Sequence, residues 1–308
     1  MVGGETGLGK HHTLYALAAE DGTERWRFEP NDWWLDVVGH DGERVFVASS
    51  DDVRAADGQT LYARSISDGS DAWSVEVGDN HGGFVAGETV YVPTRTRLYA
   101  VGTGGSVKWR YGVPEYQFKT LSVAGETVAL VDGEDIRQPV VHGLETTSGD
   151  TRFTFSPEWQ GYTTHAADGQ LFVGGEKIAR IDPETGESEW VVDQQAPLYD
   201  AVVVDGTLYV TGRSAGALSV EDGDLAWTTE LDAAFARPIG VAGETLLLHK
   251  SAGEDDRDRH LVALDRSSGD ELWEYVGETE LTRPIVDGGE GEGGVYVGEG
   301  SDVVAIPV

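Results

Sequence analysis

Residues 200–229 read DAVVVDGTLYVTGRSAGALSVEDGDLAWTT, and this stretch decides the fold. Short runs of β-forming residues are separated by the pairs Asp205-Gly206 and Asp222-Gly223, and the last run carries Trp227. Asp-Gly between alternating β-formers is a strong hairpin signal, because glycine reaches the positive φ of a tight turn at little steric cost. The stretch therefore predicts a four-stranded antiparallel meander with strands A, B, C and D in chain order.

The same unit recurs along the 308 residues, each time with a glycine followed four residues later by a large aromatic. The pairs are Gly22/Trp26, Gly69/Trp73, Gly105/Trp109, Gly149/Phe153, Gly186/Trp190, Gly223/Trp227 and Gly269/Trp273. Successive aromatics are 36 (73 to 109) to 47 (26 to 73) residues apart, and a period of this size indicates a repeat architecture.

One four-stranded sheet cannot cover both of its faces, whereas sheets stacked radially around an axis cover both. We therefore predict an all-β fold in which residues 1–308 form a single domain, a closed β-propeller of four-stranded antiparallel blades. Each outer aromatic is expected to pack into the neighbouring unit. Seven strand-A starts and seven aromatics favour seven blades, with the N- and C-terminal strands pairing in one blade to close the ring. A count of seven leaves one strand of type C without a blade. The alternative is therefore a ring of eight blades, two of which are incomplete.

Three stretches carry a family resemblance: Leu208-Tyr209-Val210, LVALD at 261–265 and IDPETGESEW at 181–190. They resemble the repeat of the pyrroloquinoline-quinone-type β-propellers, and the similarity spans essentially the whole chain. The resemblance implies the propeller fold. The family includes quinoprotein dehydrogenases as well as non-catalytic scaffolds such as the outer-membrane-assembly lipoprotein of bacteria, so the fold alone assigns no function.

The resemblance implies that an alcohol dehydrogenase of this family would have adjacent disulfide-bonded cysteines over its cofactor, and long insertions that supply a calcium site and a catalytic aspartate. This chain has no cysteine and no matching catalytic segment. We therefore favour a non-catalytic scaffold that binds another protein, with no cofactor, no metal and no catalytic residue. The alternative is a small quinoprotein dehydrogenase that holds pyrroloquinoline quinone with Ca²⁺ over the central channel through Lys119, Arg237 and Arg283.

The chain is strongly acidic, with 55 Asp and Glu against 22 Lys and Arg, a net charge of −33, and five lysines. Acid excess with few lysines resembles proteins of salt-loving archaea, and it predicts an acidic surface adapted to high salt, where the Debye length falls to about 3 Å. Nucleic acid, whose phosphates are negative, is a poor partner for a protein with such a negative electrostatic field. No apolar segment is long enough for membrane insertion. Residues 1–5 do not form a signal peptide, and the family resemblance favours a secreted or cell-surface site.

In a propeller, the D–A and B–C loops share the face around the channel mouth. Alignment of the units on their A–B turn glycine puts one residue of each at the start of strand A. This channel-mouth set comprises Asp36, His81, Lys119, Thr163, Asp200, Arg237 and Arg283. Three of the seven are basic, so a small anion such as a carboxylate is the predicted ligand. The alternative is that Asp36 and Asp200 pair with the arginines to close the ring.

Further sequence features point to the same face. The longer B–C connections, at 50–60, 133–139 and 251–259, mark it as the binding face. Loop aromatics that could wall a pocket or plug the channel are Trp33, Trp34, Phe118, Trp159, Tyr162, Tyr199 and Phe235. The acidic run 254–258 is interpreted as a solvated loop, because it lacks the ligand spacing and pivot glycine of a calcium loop. The glycine-rich insertion 288–294 falls in an A–B connection, on the opposite face.

Overall fold

The computed structural model shows an all-β chain. The structure describes residues 2–5, 12–18, 21–30, 34–50, 60–78, 83–94, 97–112, 120–132, 140–193, 200–233, 235–251, 260–279, 281, 285–286, 294–299 and 302–307. Every regular element in these ranges is a β-strand. Among these residues there is no helix long and apolar enough to cross a membrane.

In these described ranges, thirty strands form eight antiparallel sheets, which take their numbers from chain order. Sheet 1 contains β1 (Val2–Glu5), β2 (His12–Leu17) and β3 (Glu24–Phe28). Sheet 2 contains β4 (Trp34–His40), β5 (Arg44–Ser50), β6 (Thr60–Ser65) and β7 (Asp71–Glu76). Sheet 3 contains β8 (Phe84–Ala86), β9 (Thr89–Pro93), β10 (Arg97–Gly102) and β11 (Val107–Gly112). Sheet 4 contains β12 (Leu121–Ala124), β13 (Thr127–Asp132), β14 (Val140–Glu145) and β15 (Thr151–Phe155).

The second half of the chain continues the series. Sheet 5 contains β16 (Gly161–Ala167), β17 (Gln170–Gly175), β18 (Lys177–Ile181) and β19 (Ser188–Asp193). Sheet 6 contains β20 (Asp200–Val204), β21 (Thr207–Thr211), β22 (Ser214–Ser219) and β23 (Leu225–Glu230). Sheet 7 contains β24 (Phe235–Ala242), β25 (Thr245–Ser251), β26 (His260–Asp265) and β27 (Glu271–Val276). Sheet 8 contains β28 (Ile285–Val286), β29 (Gly294–Glu299) and β30 (Asp302–Pro307).

Six sheets have four strands in the order of the predicted A-B-C-D meander, which confirms the predicted repeating unit. The two three-stranded sheets contain the ends of the chain. Among the described strands, sheet 1 lacks a first strand and sheet 8 lacks a fourth. The described strands near the two ends of the chain are assigned to two different sheets, and the number of blades stays a prediction.

The A–B turns have the backbone that the Asp-Gly pairs predict. Asp205 and Gly206 have φ angles of 51° and 72°, and Asp168 and Gly169 have 51° and 75°. Positive φ at both central residues is the type I′ geometry, whose twist matches that of the flanking strands. The aspartate and glycine therefore fix the register of these hairpins.

The chain divides into two compact units, residues 1–118 with 145–150, and residues 119–144 with 151–308. Within each unit, successive sheets bury apolar side chains against one another. In the first unit, Phe46 and Leu61 of sheet 2 share a core cluster with Val90 of sheet 3. In the second unit, Tyr209 of sheet 6 shares one with Leu246 of sheet 7. Burying such a side chain contributes about 1.5–3 kcal/mol, so these inter-sheet contacts stabilise each unit.

The repeated aromatics lie across these inter-sheet contacts. Six of them, from Trp26 to Trp227, pack over the glycine of the following unit, not over the glycine four residues before them. A Cβ atom added to Gly69 would lie 2.7 Å from Cδ2 of Trp26, and one added to Gly269 would lie 2.4 Å from Cε3 of Trp227. The indole Nε1–H of Trp26 donates to the Ile66 carbonyl at 2.9 Å, and that of Trp227 donates to the Arg266 carbonyl at 2.9 Å. The prediction that each aromatic packs into a neighbouring unit is correct for these residues.

Phe153 has no N–H to donate, and a different residue makes the equivalent hydrogen bond. Three residues before the covered glycine, Gly186, lies Pro183, whose carbonyl accepts from Thr127 Oγ1 at 2.6 Å. Thr127 is fully buried on β13, and Arg152 donates to the same hydroxyl at 3.4 Å. The threonine hydroxyl thus supplies the donor that tryptophan supplies in other sheets, so the carbonyl keeps a partner.

Candidate binding face

Four members of the predicted channel-mouth set lie in the described part of the chain, each on the first strand of its sheet. Asp36 lies opposite Ala48 and is exposed. The other three belong to the second unit: Thr163 lies opposite Gly174, Asp200 opposite Thr211, and Arg237 opposite His249. Thr163 is buried, Asp200 is half-buried and Arg237 is exposed. His81, Lys119 and Arg283 lie outside the described residues.

The second unit brings three of these positions onto adjacent elements. β16 contacts β20, and β20 contacts β24, so Thr163, Asp200 and Arg237 lie on three neighbouring first strands. That these positions form a ligand site stays a prediction. Asp36 belongs to the first unit. Of the three residues predicted to hold a quinone, only Arg237 is described, so a fit to that cofactor stays a prediction.

A network of threonines links Thr120, the residue before the first strand of sheet 4, to the first strand of sheet 5. The backbone N–H of Thr164 donates to Thr120 Oγ1 at 2.7 Å, and the two hydroxyl oxygens are 3.2 Å apart. Thr163 Oγ1 donates to the Thr164 carbonyl at 3.4 Å. The hydroxyl of Thr163 is therefore engaged within the protein, which makes Thr163 a packing residue of the set.

His165 is a residue that the sequence analysis did not select. It lies on β16, and burial lowers its pKa, although the negative charge of Asp200 on the neighbouring strand opposes that shift. The lowered pKa favours the neutral form of this imidazole. Alignment of the units could have found the pair, since His165 is two residues beyond the Thr163 position that aligns with Asp200.

A second titratable cluster lies on sheet 7, at the end of β25. Lys250 is only 7% exposed, and its Nζ is 2.8 Å from Glu274 Oε1. His260 Nδ1 is 2.6 Å from the same oxygen. Burial would raise the pKa of Glu274, but the hydrogen bonds from Lys250 and His260 outweigh it and lower that pKa. The cluster flanks the connection 252–259, which lies outside the described residues.

Several sequence candidates fall outside the described part of the chain or belong to the core. The connections 51–59, 133–139 and 252–259, and the segments 113–119 and 194–199, are not described, so their role in a binding face stays a prediction. Trp159 packs against the core cluster of sheets 4 and 5, with its ring centroid 6.0 Å from that of Phe155. No group of three metal-ligating side chains occurs among the residues that the structure describes, and the acidic run 254–258 is not among them.

Comparison with known proteins agrees with this geometry. The chain matches the family described as outer membrane protein assembly factor BamB in three overlapping segments, 6–111, 57–176 and 174–308. The crystal structure of BamB from Moraxella catarrhalis is similar with a TM-score of 0.69 and 18% identity, over 100% of this chain and 86% of that one. The computationally designed Ika8 protein is similar with a TM-score of 0.58 and 10% identity, over 89% of this chain and 96% of that one. No curated protein gives a significant match.

At these identities, the solved structures show the fold alone, a β-propeller-like series of antiparallel sheets. The family match is stronger evidence, because its three segments together cover residues 6–308. It agrees with the repeated Asp-Gly turns and the aromatics that bridge successive sheets. The chain belongs to the family described as outer membrane protein assembly factor BamB.

Proposed function

We propose that this protein is a non-catalytic scaffold that binds another protein through the face bearing the D–A and B–C loops. The observation that carries the proposal is the family match over residues 6–308, because the description of that family names an assembly factor. The absence of cysteine and the intact repeats support it further. In this proposal, the exposed Arg237 and its neighbours on the first strands offer a site for a carboxylate of the partner or for a small anion.

The sheets are proposed to close into one ring. Six complete sheets and two incomplete ones support the eight-blade alternative over the favoured seven. Pairing of the N- and C-terminal strands in a single blade remains a prediction.

The binding face can be tested with a pair of loop variants. One variant replaces 252–259 on the proposed binding face with a short Gly-Ser turn, and the other shortens 287–293 in the A–B connection. Wild type and both variants are immobilised at high salt and exposed to extract from salt-adapted cells, with cross-linking before elution. We expect one specific partner on the wild type and the 287–293 variant, and its loss from the 252–259 variant. Equal capture by all three would contradict the assignment of the face.

High-salt adaptation is the second part of the proposal. A net charge of −33 opposes the compact state, and this self-repulsion is screened at molar salt. We expect the thermal midpoint, followed by circular dichroism, to rise substantially between about 0.1 M and about 2 M KCl as screening increases. A variant with Glu184→Gln and Glu187→Gln, both at exposed positions, should show a shallower salt dependence. A flat midpoint in the wild type would rule out the adaptation.

The quinoprotein alternative has its own test. Pyrroloquinoline quinone with Ca²⁺ is titrated at high salt while intrinsic tryptophan fluorescence is followed. The scaffold proposal expects no saturable quenching. Saturable quenching at micromolar cofactor that is lost in Arg237→Ala would favour the dehydrogenase.

A further inference from the structure

The fourth strand of sheet 7 carries two exposed apolar side chains on one face. In β27, Leu272 is 52% exposed and Val276 is 51% exposed. Exposure alternates between them, because Trp273 and Tyr275 are half-buried, so Leu272, Glu274 and Val276 lie on the same face of the strand. Single exposed apolar side chains are ordinary on a protein surface, whereas two on one strand face can contact the same partner segment. These three residues are called the β27 face.

Glu274, at the centre of the β27 face, is held in a fixed orientation. Its Oε1 accepts from Lys250 Nζ at 2.8 Å and lies 2.6 Å from His260 Nδ1. Burial raises the pKa of Glu274, but these hydrogen bonds outweigh burial and lower that pKa, so the carboxyl is ionised at neutral pH. Among the described residues, every hydrogen bond and ion pair of this carboxylate is made by Oε1, and the side chain is 28% exposed. Oε2 is therefore an oriented acceptor for an outside donor.

The equivalent positions of the other fourth strands have different residues. These positions lie one residue before, one after and three after the repeated aromatic, and β27 alone has two large apolar residues there. The fourth strand of sheet 5, β19, has the opposite pattern, with the exposed Val191 between Glu189 and Asp193. Both of these carboxylates form ion pairs within sheet 5, with Arg180 and Lys177 respectively. β19 is therefore a matched control for β27.

We propose that the β27 face binds an extended segment of a partner protein that carries an arginine between two apolar residues. In an extended segment, residues two apart share a face, at the same spacing as Leu272, Glu274 and Val276. The arginine donates to Glu274 Oε2, and its apolar neighbours cover Leu272 and Val276. This inference rests on the proposed scaffold function, and it adds a contact outside the D–A and B–C loops.

Charge and hydration select arginine for the central position. The chain has a net charge of −33, and Glu271 and Glu278 are exposed near the two ends of β27, so a basic segment is attracted. Lys250 offsets part of this negative charge, so the apolar contacts supply the remaining affinity. Guanidinium is more weakly hydrated than ammonium and loses less when apolar side chains cover it, which favours arginine over lysine.

The test compares two peptides that differ only in charge. One is acetyl-Ser-Leu-Thr-Arg-Thr-Leu-Ser-amide, and the other has citrulline, a neutral analogue, in place of arginine. The chain carries ¹³C-labelled Leu and Val methyl groups in about 1 M KCl, where long-range attraction is screened. We expect saturable shifts of the Leu272 and Val276 methyl signals, and binding of the citrulline peptide weaker by about tenfold, as for an arginine hot spot. Equal binding of the two peptides would overturn the proposal.

Matched variants of two fourth strands locate the site. Leu272→Ser with Val276→Thr removes the apolar part of the β27 face, and Val191→Thr makes the same kind of change on β19. All three positions are exposed, so both variants should fold, as circular dichroism would verify. The β27 variant should bind the arginine peptide about fivefold more weakly or worse, and Val191→Thr should bind it as the wild type does. Equal effects of the two variants would overturn the proposal.

Glu274→Gln tests the charged contact itself. Glutamine keeps the shape of glutamate, so this variant should bind the arginine peptide only as well as the wild type binds the citrulline peptide. Binding of the citrulline peptide should be unchanged, which makes the four measurements a double-mutant cycle. Additive effects would contradict a contact between the arginine and Glu274. Thermal unfolding checks this variant, because it leaves Lys250 without its counter-charge, and the β27 variant tests the face without that change.

Other outcomes of these experiments assign the face differently. Shifts of the Leu272 and Val276 signals that grow with protein concentration, without any peptide, would assign the β27 face to a second copy of the chain and overturn the partner segment. The β27 variant leaves residues 252–259 intact and can be added to the capture experiment proposed above. Capture that is lost in the 252–259 variant but kept in the β27 variant would overturn this inference and leave the scaffold function standing.

Discussion

The turns at Gly22 and Gly69 have the same local structure and different surroundings. Their φ angles are 72° and 71°. Asp21 Oδ1 accepts from the backbone N–H of Thr23 at 3.0 Å, and Asp68 Oδ1 accepts from that of Ser70 at 3.0 Å. Trp26 covers Gly69, whereas no atom of the described residues lies within 4 Å of a Cβ position at Gly22.

The comparison separates two roles of one motif. The aspartate and the positive φ of glycine build the turn locally, and they do so at both sites. The aromatic adds a contact between successive sheets, and glycine is then needed for close approach as well as for its backbone angle. Of these two glycines, only Gly69 meets both demands. The difference between the effects of substitution at the two turns therefore measures the contribution of the aromatic contact.

The largest expected effect is that of Gly69→Ala. An alanine there must adopt a left-handed backbone, at about 1–2 kcal/mol, and its Cβ would overlap Trp26, at about 1–3 kcal/mol more. Gly22→Ala has only the first cost. Chemical denaturation of both variants should therefore give a free energy of unfolding lower by about 2–5 kcal/mol for Gly69→Ala and about 1–2 kcal/mol for Gly22→Ala. Equal losses of unfolding free energy in the two variants would show that the packing of Trp26 over Gly69 contributes nothing to stability.

Thr127→Val should have the next largest effect. Valine keeps the shape of threonine but leaves the Pro183 carbonyl without the hydroxyl that donates to it at 2.6 Å. We expect a loss of about 1–3 kcal/mol in chemical denaturation, the cost of an unsatisfied acceptor that is partly buried. Thr127→Ser is the matched control, because it keeps the donor. In the Thr127→Val background, Phe153→Trp should recover part of the loss. If the effects of the two changes simply add, the hydroxyl of Thr127 does not take the place of the indole N–H.

The sequence predicts local features well and contacts between units less well. The Asp205-Gly206 turn, the four-stranded unit and the packing of aromatics between sheets follow from short patterns. The donation from Thr127 to Pro183 joins residues 56 apart and has no pattern of its own. The cluster of Lys250, His260 and Glu274 was missed for the same reason, since neighbouring strands, and not spacing along the chain, bring its charges together. The number of blades stays a prediction, because pairing at the two chain ends depends on tertiary structure and not on a short pattern.

Trp26→Phe tests the hydrogen bond of Trp26 separately from the packing of its ring over Gly69. Phenylalanine keeps a ring over Gly69 but loses the indole donor to the Ile66 carbonyl at 2.9 Å. We expect a loss of about 1–2 kcal/mol in the free energy of unfolding, smaller than that of Gly69→Ala. The double variant Trp26→Phe with Gly69→Ala should lose less than the sum, because the smaller ring leaves more room for the new Cβ. Full additivity would mean that the two residues do not interact.

Replacing the aspartates of the two turns should have the smallest effect on stability. This effect should be equal at the two turns. The backbone N–H and hydroxyl of Thr23 lower the pKa of Asp21, and the hydroxyl and N–H of Ser70 lower the pKa of Asp68. A carboxyl whose pKa is lowered by folding stabilises the protein above its unfolded pKa of about 3.9, and this stabilisation is lost as pH falls through the folded pKa. Asp21→Asn and Asp68→Asn should each reduce stability slightly at neutral pH and flatten the fall of the unfolding midpoint below about pH 4. Unfolding curves from about pH 2.5 to about pH 7 would show the same change in both variants if the turns are locally equivalent. A larger change in Asp68→Asn would mean that the Trp26 cover also strengthens the turn beneath it.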